Sequence, residues 1–176
     1  LIERDTADDT LSALAKFRES ARIYGELGDE ANVASALVGV GLALSRLGDQ
    51  TGAIETYRQA IPVFEKYGLD ELHGRALYNL GRVYAEIDDN DKALEFHLKA
   101  LRYRRMSGDK FGEAHTLNGV GLIYSTLGER RLALDYHTRA LRIFTTLGKD
   151  REVGIVLNNI GLLYSSLGDE RLAIDR

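Results

Sequence analysis

Apolar and polar positions alternate along this chain in two patterns that repeat together every 40 residues. In one pattern, a small residue and an aromatic residue or histidine lie four positions apart, as in Ala53 and Tyr57. In the other, apolar residues lie three, four and seven positions apart, as in Leu77, Leu80 and Tyr84. Such spacings place side chains on one face of an α-helix. The patterns predict eight amphipathic helices, approximately over residues 11–27, 31–47, 51–67, 71–87, 91–107, 111–127, 131–147 and 151–167.

Glycines mark the predicted helix ends at intervals of twenty residues. Glycine readily takes the left-handed backbone conformation that ends a helix, and the Asp, Glu or Asn that often follows can cap the next one. Position 88 holds Asp88 instead, inside the similar segment IDDN. We expect each of these positions to form a turn, and residues 7–10 to form another. The series consists of Gly28, Gly48, Gly68, Gly108, Gly128, Gly148 and Gly168.

A second column of glycines lies within the first helix of each predicted helix pair. A glycine inside a helix costs about 1 kcal/mol relative to alanine, so its presence indicates a need for space. We expect these glycines to let a neighbouring helix approach closely, opposite alanine columns, while the aromatic columns fill wider gaps between helix pairs. The column consists of Gly41, Gly81, Gly121 and Gly161.

The segment LYNLGRVY, from Leu77 to Tyr84, is followed by Ala93, His97 and Ala100. This series resembles the tetratricopeptide repeat, in the 40-residue form found in kinesin light chains and in many bacterial signalling proteins. The resemblance covers essentially the whole chain. It implies an all-α fold, an α-solenoid of antiparallel helix pairs wound into a right-handed superhelix.

In this frame a single repeat array spans residues 1–176. It contains a partial repeat over 1–30, repeats over 31–70, 71–110 and 111–150, and a partial repeat over 151–176. Solenoids need polar capping repeats for solubility, and neither end of this sequence shows one. We therefore expect the chain to be a fragment of a longer protein.

Composition excludes several classes of function. The chain has 27 acidic and 23 basic residues, a net charge of −4, which argues against a nucleic-acid partner. Its one basic cluster, RYRR at 102–105, is interpreted as a solvated helix face. No apolar run approaches the roughly 18 residues of a membrane span, so no membrane partner is expected. The absence of cysteine excludes disulfides and thiolate metal sites, and it favours a cytoplasmic location.

The histidines and glycines do not form a recognisable catalytic or cofactor site. His97 and His137 occupy a packing column, and equivalent positions of successive repeats lie too far apart for bonds of about 2 Å to one zinc ion. No glycine-rich phosphate loop and no nucleophile-elbow motif is present. The sequence therefore predicts no enzyme, no catalytic residues, no cofactor and no metal.

A binding groove is the remaining candidate for function. In the family that the chain resembles, the first helix of each pair lines the concave face, and asparagines there hold extended peptides. An asparagine amide can bond to both polar groups of a peptide backbone, although these side chains could instead pair with neighbouring helices. Arginines in the second repeat and apolar residues in the fourth favour a partner with an acidic part and an apolar part. The candidate partner-binding residues are Asn79, Asn118, Asn158 and Asn159; Arg75, Tyr78 and Arg82; His115 and Leu122; and Ile155 and Leu162.

These observations predict a non-catalytic interaction scaffold whose groove binds an extended peptide or a helix of a partner protein. The alternative is an architectural, sensory or relay segment of a larger signalling protein, which could self-associate through its uncapped ends.

Overall fold

The structure, a computed structural model, describes the backbone of residues 2–174 and the side chains of residues 7–165. Within these residues all regular structure is α-helical. Two compact units divide the chain, unit 1 over Leu1–Ser107 and unit 2 over Gly108–Arg176. Unit 1 contains α1 (Ile2–Glu26), α2 (Glu30–Arg46), α3 (Gln50–Lys66), α4 (Asp70–Glu86) and α5 (Asn90–Met106); unit 2 contains α6 (Lys110–Thr126), α7 (Arg130–Thr146) and α8 (Asp150–Ile174).

The turns between helices are short, as at Gly48 and Asp49, because one residue ends a helix and the next residue caps the following helix. Gly48 has a φ of 84°, and its amide donates to the carbonyl of Ser45 at 3.1 Å. The next residue, Asp49, caps α3, and its carboxylate accepts from the amide of Gly52 at 2.9 Å. The same aspartate cap begins α2, α5 and α6. Each of the helices α2 to α8 begins one residue earlier than predicted, two residues after the twenty-residue position.

Asp88 confirms that the turn, and not the glycine, is what repeats. Its φ is 60°, and no other described non-glycine residue has a positive φ. Asparagine and aspartate enter the left-handed region more readily than other side chains do. The interval of twenty residues is thus kept at position 88 without glycine.

Two predicted turns are wrong. Helix α1 runs continuously through residues 7–10, where the turn ADDT was expected. Helix α8 runs through Gly168, which therefore stays helical instead of ending a helix. Glycine permits a left-handed turn but does not impose one, so the glycine spacing alone was insufficient evidence there.

In unit 1, each helix packs against the next along the chain. Because three-residue turns join them, neighbouring helices are antiparallel. Alanines at the helix crossings are buried completely, as at Ala53, Ala60, Ala93 and Ala100. Unit 2 is built in the same way, with α7 packed against both α6 and α8 and with Ala133 and Ala140 buried. The expected all-α solenoid of helix pairs is confirmed.

Three of the mid-helix glycines, Gly41, Gly81 and Gly121, make room for rings, which corrects the sequence-based expectation. A Cβ added to Gly41 would lie 2.8 Å from the Tyr57 ring, and one added to Gly121 would lie 2.7 Å from the His137 ring. The aromatic and histidine column therefore fills the space over the glycine inside each pair, not a wider gap between pairs. We call this space, between the glycine and the ring sixteen residues later, the glycine slot.

Candidate functional site

The first helices of successive pairs contact each other within each unit. Helix α2 contacts α4, and α6 contacts α8, whereas among the described residues the second helices α3 and α5 do not touch. The candidate residues are distributed over α4, α6 and α8, and we name the two surfaces after these helix contacts. We call these the α2–α4 face of unit 1 and the α6–α8 face of unit 2.

Arg75 and Arg82 supply positive charge to the α2–α4 face. Both are exposed, but Arg82 donates to the carboxylate of Glu86 at 3.1 Å. Glu86 also accepts a hydrogen bond from the hydroxyl of Ser45 on α2, at 2.9 Å. Since Glu86 compensates Arg82, Arg75 is the better candidate for attracting an acidic partner; it forms no ion pair with a described residue.

Tyr78 and Asn79 are half-buried on the same face. The Tyr78 ring lies 5.1 Å from the ring of His97, which occupies the glycine slot over Gly81. Burial raises the pKa of the Tyr78 phenol and lowers the pKa of His97 to about 4, with the Arg82 guanidinium adding to the second effect. Both groups are therefore neutral near pH 7, and the charge of this face comes from its arginines and Glu86.

Asn118 is the centre of a hydrogen-bond network on the α6–α8 face. Its Oδ1 accepts from Nδ1 of His137 at 2.9 Å and from Nδ2 of Asn159 at 3.2 Å. His137 is 1% exposed and lies in the glycine slot over Gly121. The network connects one side chain from each of the three helices of unit 2. Two of the candidate asparagines are thus paired with neighbouring helices.

Exposed apolar side chains lie on the two first helices, α6 and α8, that contribute to this network. Leu122 is 45% exposed, Ile155 is 47% exposed and Leu162 is 64% exposed. Asn158 is exposed between the two α8 residues, with spacings of three and four that place all three on one helical stripe. The face therefore presents amides among uncovered apolar groups.

The ring of His115 contacts two phenylalanines of unit 2. It is half-buried, and its ring makes edge contacts with Phe111 at 4.5 Å and with Phe144 at 5.0 Å between centroids. These contacts place His115 in an aromatic cluster that holds α6 against α7.

The sequence predicts that the basic cluster at 102–105 is one solvated helix face, and this prediction is wrong. Arg102 and Arg105 are exposed, but Arg104 is buried and its side chain packs against Gly74. Tyr103 stacks on the buried His73 with ring centroids 3.9 Å apart. Two of the four residues therefore hold α5 against α4.

Sequence reasoning missed the pairing of His137 with Asn118. The two residues are 19 positions apart, an offset that also relates Tyr57 to Val38 and His97 to Tyr78 in the other pairs. That recurring offset was a usable signal, because equivalent positions in a repeat array occupy equivalent places.

The described residues contain no helix that is both long enough and apolar enough to span a membrane. They also contain no group of three or more His, Asp or Glu side chains arranged to hold a metal ion.

Solved structures with related architecture are similar to this chain at low sequence identity. BtubC (BKLC) from P. vanneervenii is 23% identical with a TM-score of 0.71, over 93% of this chain and 66% of that one. Aspartyl phosphate phosphatase F from Bacillus subtilis is 15% identical with a TM-score of 0.82, over 96% of this chain and 45% of that one. A Rap protein complexed with Competence and Sporulation Factor is 17% identical with a TM-score of 0.78, over 99% of this chain and 49% of that one.

The chain thus spans about half the length of the last two structures and 66% of the first. At these identities the likeness shows the fold. No curated protein matches the chain. The family comparison identifies tetratricopeptide repeats over residues 72–146 and again over residues 34–63, which together are more than half of the sequence. The chain belongs to the tetratricopeptide repeat family.

Proposed function

We propose that this chain is a non-catalytic scaffold that binds an extended peptide or a helix of a partner protein along its first helices. Tetratricopeptide repeats are in general protein-interaction scaffolds, and one structure similar to this chain is a Rap protein complexed with Competence and Sporulation Factor. The proposal includes a cytoplasmic location, for which the support is the cysteine-free composition.

One observation carries the proposal: the α6–α8 face exposes Leu122, Ile155 and Leu162 around the amides of Asn118 and Asn158. Exposed apolar patches rimmed by polar groups are typical of binding surfaces. A peptide has apolar side chains that can cover the three aliphatic residues, and it has backbone groups that can pair with the amides. This face suits an apolar segment of the partner.

The α2–α4 face suits an acidic segment. Arg75 is exposed there without an ion-pair partner among the described residues. The positive charge of Arg82 is partly offset by the Glu86 carboxylate, which lies 3.1 Å from the guanidinium group. Charge complementarity mainly increases the association rate and the specificity of binding. We therefore expect acidic residues in the partner to make association faster at low salt than at high salt.

Selection of peptides tests the proposal directly. A phage-displayed library of random dodecapeptides is panned on the folded protein, and a selected peptide is labelled with fluorescein for anisotropy titrations. We expect the variant Leu122→Ala/Leu162→Ala to bind that peptide about tenfold more weakly, which corresponds to about 1.4 kcal/mol. Asn158→Ala is expected to weaken binding by a smaller factor in the same direction.

The matched control is Leu132→Ala. Leu132 is 42% exposed, close to the 45% of Leu122, but it lies on the second helix α7. We expect this variant to bind as the wild type does. Equal affinity of the wild type and the Leu122→Ala/Leu162→Ala variant, with circular dichroism unchanged, would contradict the proposed face, and so would a selection that yields no peptide.

A second candidate function, self-association within a larger architecture, is favoured by one observation on α8. Leu157 is 50% exposed and Tyr164 is 57% exposed, whereas their equivalents Leu77 and Tyr84 are each 3% exposed. A further helix could cover this side of α8. Sedimentation equilibrium tests whether a second copy does so: we expect the mass to rise with concentration, and Leu157→Ser/Tyr164→Ser to abolish that rise. A constant monomer mass would exclude self-association at this surface.

A further inference from the structure

We propose that His137 is a positioning residue that holds the amide of Asn118 in the orientation needed to bind a peptide backbone. In this arrangement His137 Nδ1 donates to Asn118 Oδ1, and Asn118 Nδ2 is left to donate to a carbonyl of the bound peptide. The inference rests on the proposed function, because it assigns a role within the same binding face.

His137 is itself held rigidly. Its side chain is 1% exposed, and three of its ring atoms lie within 3.0 Å of where a Cβ on Gly121 would be. A ring packed this closely on a helix backbone cannot shift without opening α6 from α7. A hydrogen bond from such a ring therefore fixes its acceptor in position.

The oxygen of Asn118 is fully used inside unit 2. It accepts from His137 at 2.9 Å and from Asn159 at 3.2 Å, and a carbonyl oxygen has two lone pairs. A bound peptide would thus meet the other end of the amide. Asn118 is half-buried, and within the part of the chain that the structure describes its Nδ2 donates no hydrogen bond.

The unused nitrogen of His137 is consistent with this assignment. Nε2 is buried and has no hydrogen-bond partner among the described residues. A buried N–H without an acceptor is a rare and costly feature, so the single proton of the neutral ring belongs on Nδ1, where an acceptor is present. Burial also lowers the pKa of His137, which keeps the ring neutral near pH 7.

Among the pairs α2–α3, α4–α5 and α6–α7, the arrangement occurs in the last one. At the positions equivalent to Asn118, α2 has Val38 and α4 has Tyr78, and neither offers an amide. His97 occupies the slot next to Tyr78, and its Nδ1 is buried without a partner among the described residues. A histidine in the slot therefore gains this hydrogen bond only where the first helix supplies an asparagine.

NMR tests the orientation without any peptide. In the ¹⁵N-labelled protein, long-range ¹H–¹⁵N correlation at pH 7.5 distinguishes a protonated from an unprotonated ring nitrogen. We expect His137 to be the Nδ1–H tautomer, and the Asn118 amide proton signals to shift in His137→Phe. A His137 ring protonated on Nε2 would overturn the proposal, since Nδ1 could then donate nothing to Asn118.

Affinity for the peptide selected above tests the consequence. We expect His137→Phe, which keeps a ring in the slot, and Asn118→Val each to weaken binding by about tenfold. The double variant Asn118→Val/His137→Tyr reproduces the Val38 and Tyr57 combination of this same protein, so it is designed to fold. It should bind no more weakly than Asn118→Val alone, because the two residues act through one amide.

The outcomes separate the two proposals. If Leu122→Ala/Leu162→Ala weakens binding but His137→Phe does not, the binding face stands and the positioning role of His137 is overturned. If the loss of affinity in the double variant equals the product of the losses in the two single variants, the positioning role is likewise overturned. If no peptide is selected, the proposed function fails, and with it the ligand assigned to Asn118.

Discussion

Mild acid should destabilise this protein through His97. The His97 side chain is 2% exposed, and its Nδ1 is buried without a partner among the described residues. Burial, together with the nearby Arg82 guanidinium, lowers the pKa of His97 to about 4, from an ordinary value of 6.5. On a change from pH 7.5 to pH 5.0, the ring becomes protonated in nearly all unfolded chains but in few folded ones.

The sign and the size of the change in the free energy of unfolding follow from the difference in proton binding between the folded and unfolded states. Because the folded pKa is the lower one, the unfolded state binds more protons, so stability is complete above about pH 6.5 and falls as pH decreases toward 4. At pH 5.0, about 97% of the unfolded chains and about 10% of the folded ones carry the proton on His97. The difference corresponds to a loss of about 2 kcal/mol from this one residue.

Urea unfolding followed by circular dichroism measures this loss at the two pH values. The control is His97→Phe, since the same column holds Phe17. Burial also lowers the pKa values of His73 and His137, but both contribute equally in the two proteins and cancel from the comparison. We expect the wild type to lose about 2 kcal/mol more than the variant. A difference below about 0.5 kcal/mol, or an NMR titration of His97 near pH 6.5, would refute the reasoning.

Three further predictions concern the backbone, and each is measured by urea unfolding at pH 7.5. Gly121→Ala should lower the free energy of unfolding by about 1 kcal/mol, because its Cβ would lie 2.7 Å from the His137 ring. Gly161→Ala should raise the free energy of unfolding by about 1 kcal/mol, because no described atom lies within 4 Å of the added Cβ. Equal effects of the two substitutions would contradict the glycine slot. Asp88→Gly should raise it by about 1 kcal/mol by relieving a φ of 60°, and a loss would show that the aspartate side chain is needed in the turn. Pro62→Ala should raise it by about 1–3 kcal/mol, since the exposed Pro62 lies inside α3 and cannot donate to the helix; an unchanged value would show that the helix has adapted to it.

The helices and their turns could be predicted from the sequence because they depend on local requirements. A left-handed turn favours glycine or a tolerated substitute such as Asp88, and a side-chain cap such as Asp49 stabilises a helix start. Both requirements act within a few residues, so their twenty-residue spacing is visible directly. The prediction failed at residues 7–10 and at Gly168, where the same local signal occurs and the helix nevertheless continues.

The packing around the glycine slot was harder to predict. The sequence shows that Gly121 and His137 belong to columns, but not that the ring lies on the glycine. Whether an asparagine contacts a ligand or a neighbouring helix depends on distances across helices, and these place Asn118 and Asn159 together. Side-chain exposure could not be predicted from the repeat pattern either: Leu162 on α8 is 64% exposed, while Val38, at the position of α2 equivalent to Asn118, is 5% exposed.

The glycine slot constrains which groups the candidate face can present. Tyr78 and Asn118 lie 19 positions before the rings of His97 and His137, and both are predicted partner-binding residues. Asn118 also forms a hydrogen bond with His137. The chemistry of this side chain must therefore suit both the partner and the core. A buried amide oxygen without a donor costs about 1–3 kcal/mol, so at the half-buried Asn118 an asparagine is more favourable when the second helix supplies a donor. Histidine supplies one while still filling the space over glycine. The polar character of the α6–α8 face is therefore set jointly by two helices, and exchanging Asn118 alone would change the core as well as the surface.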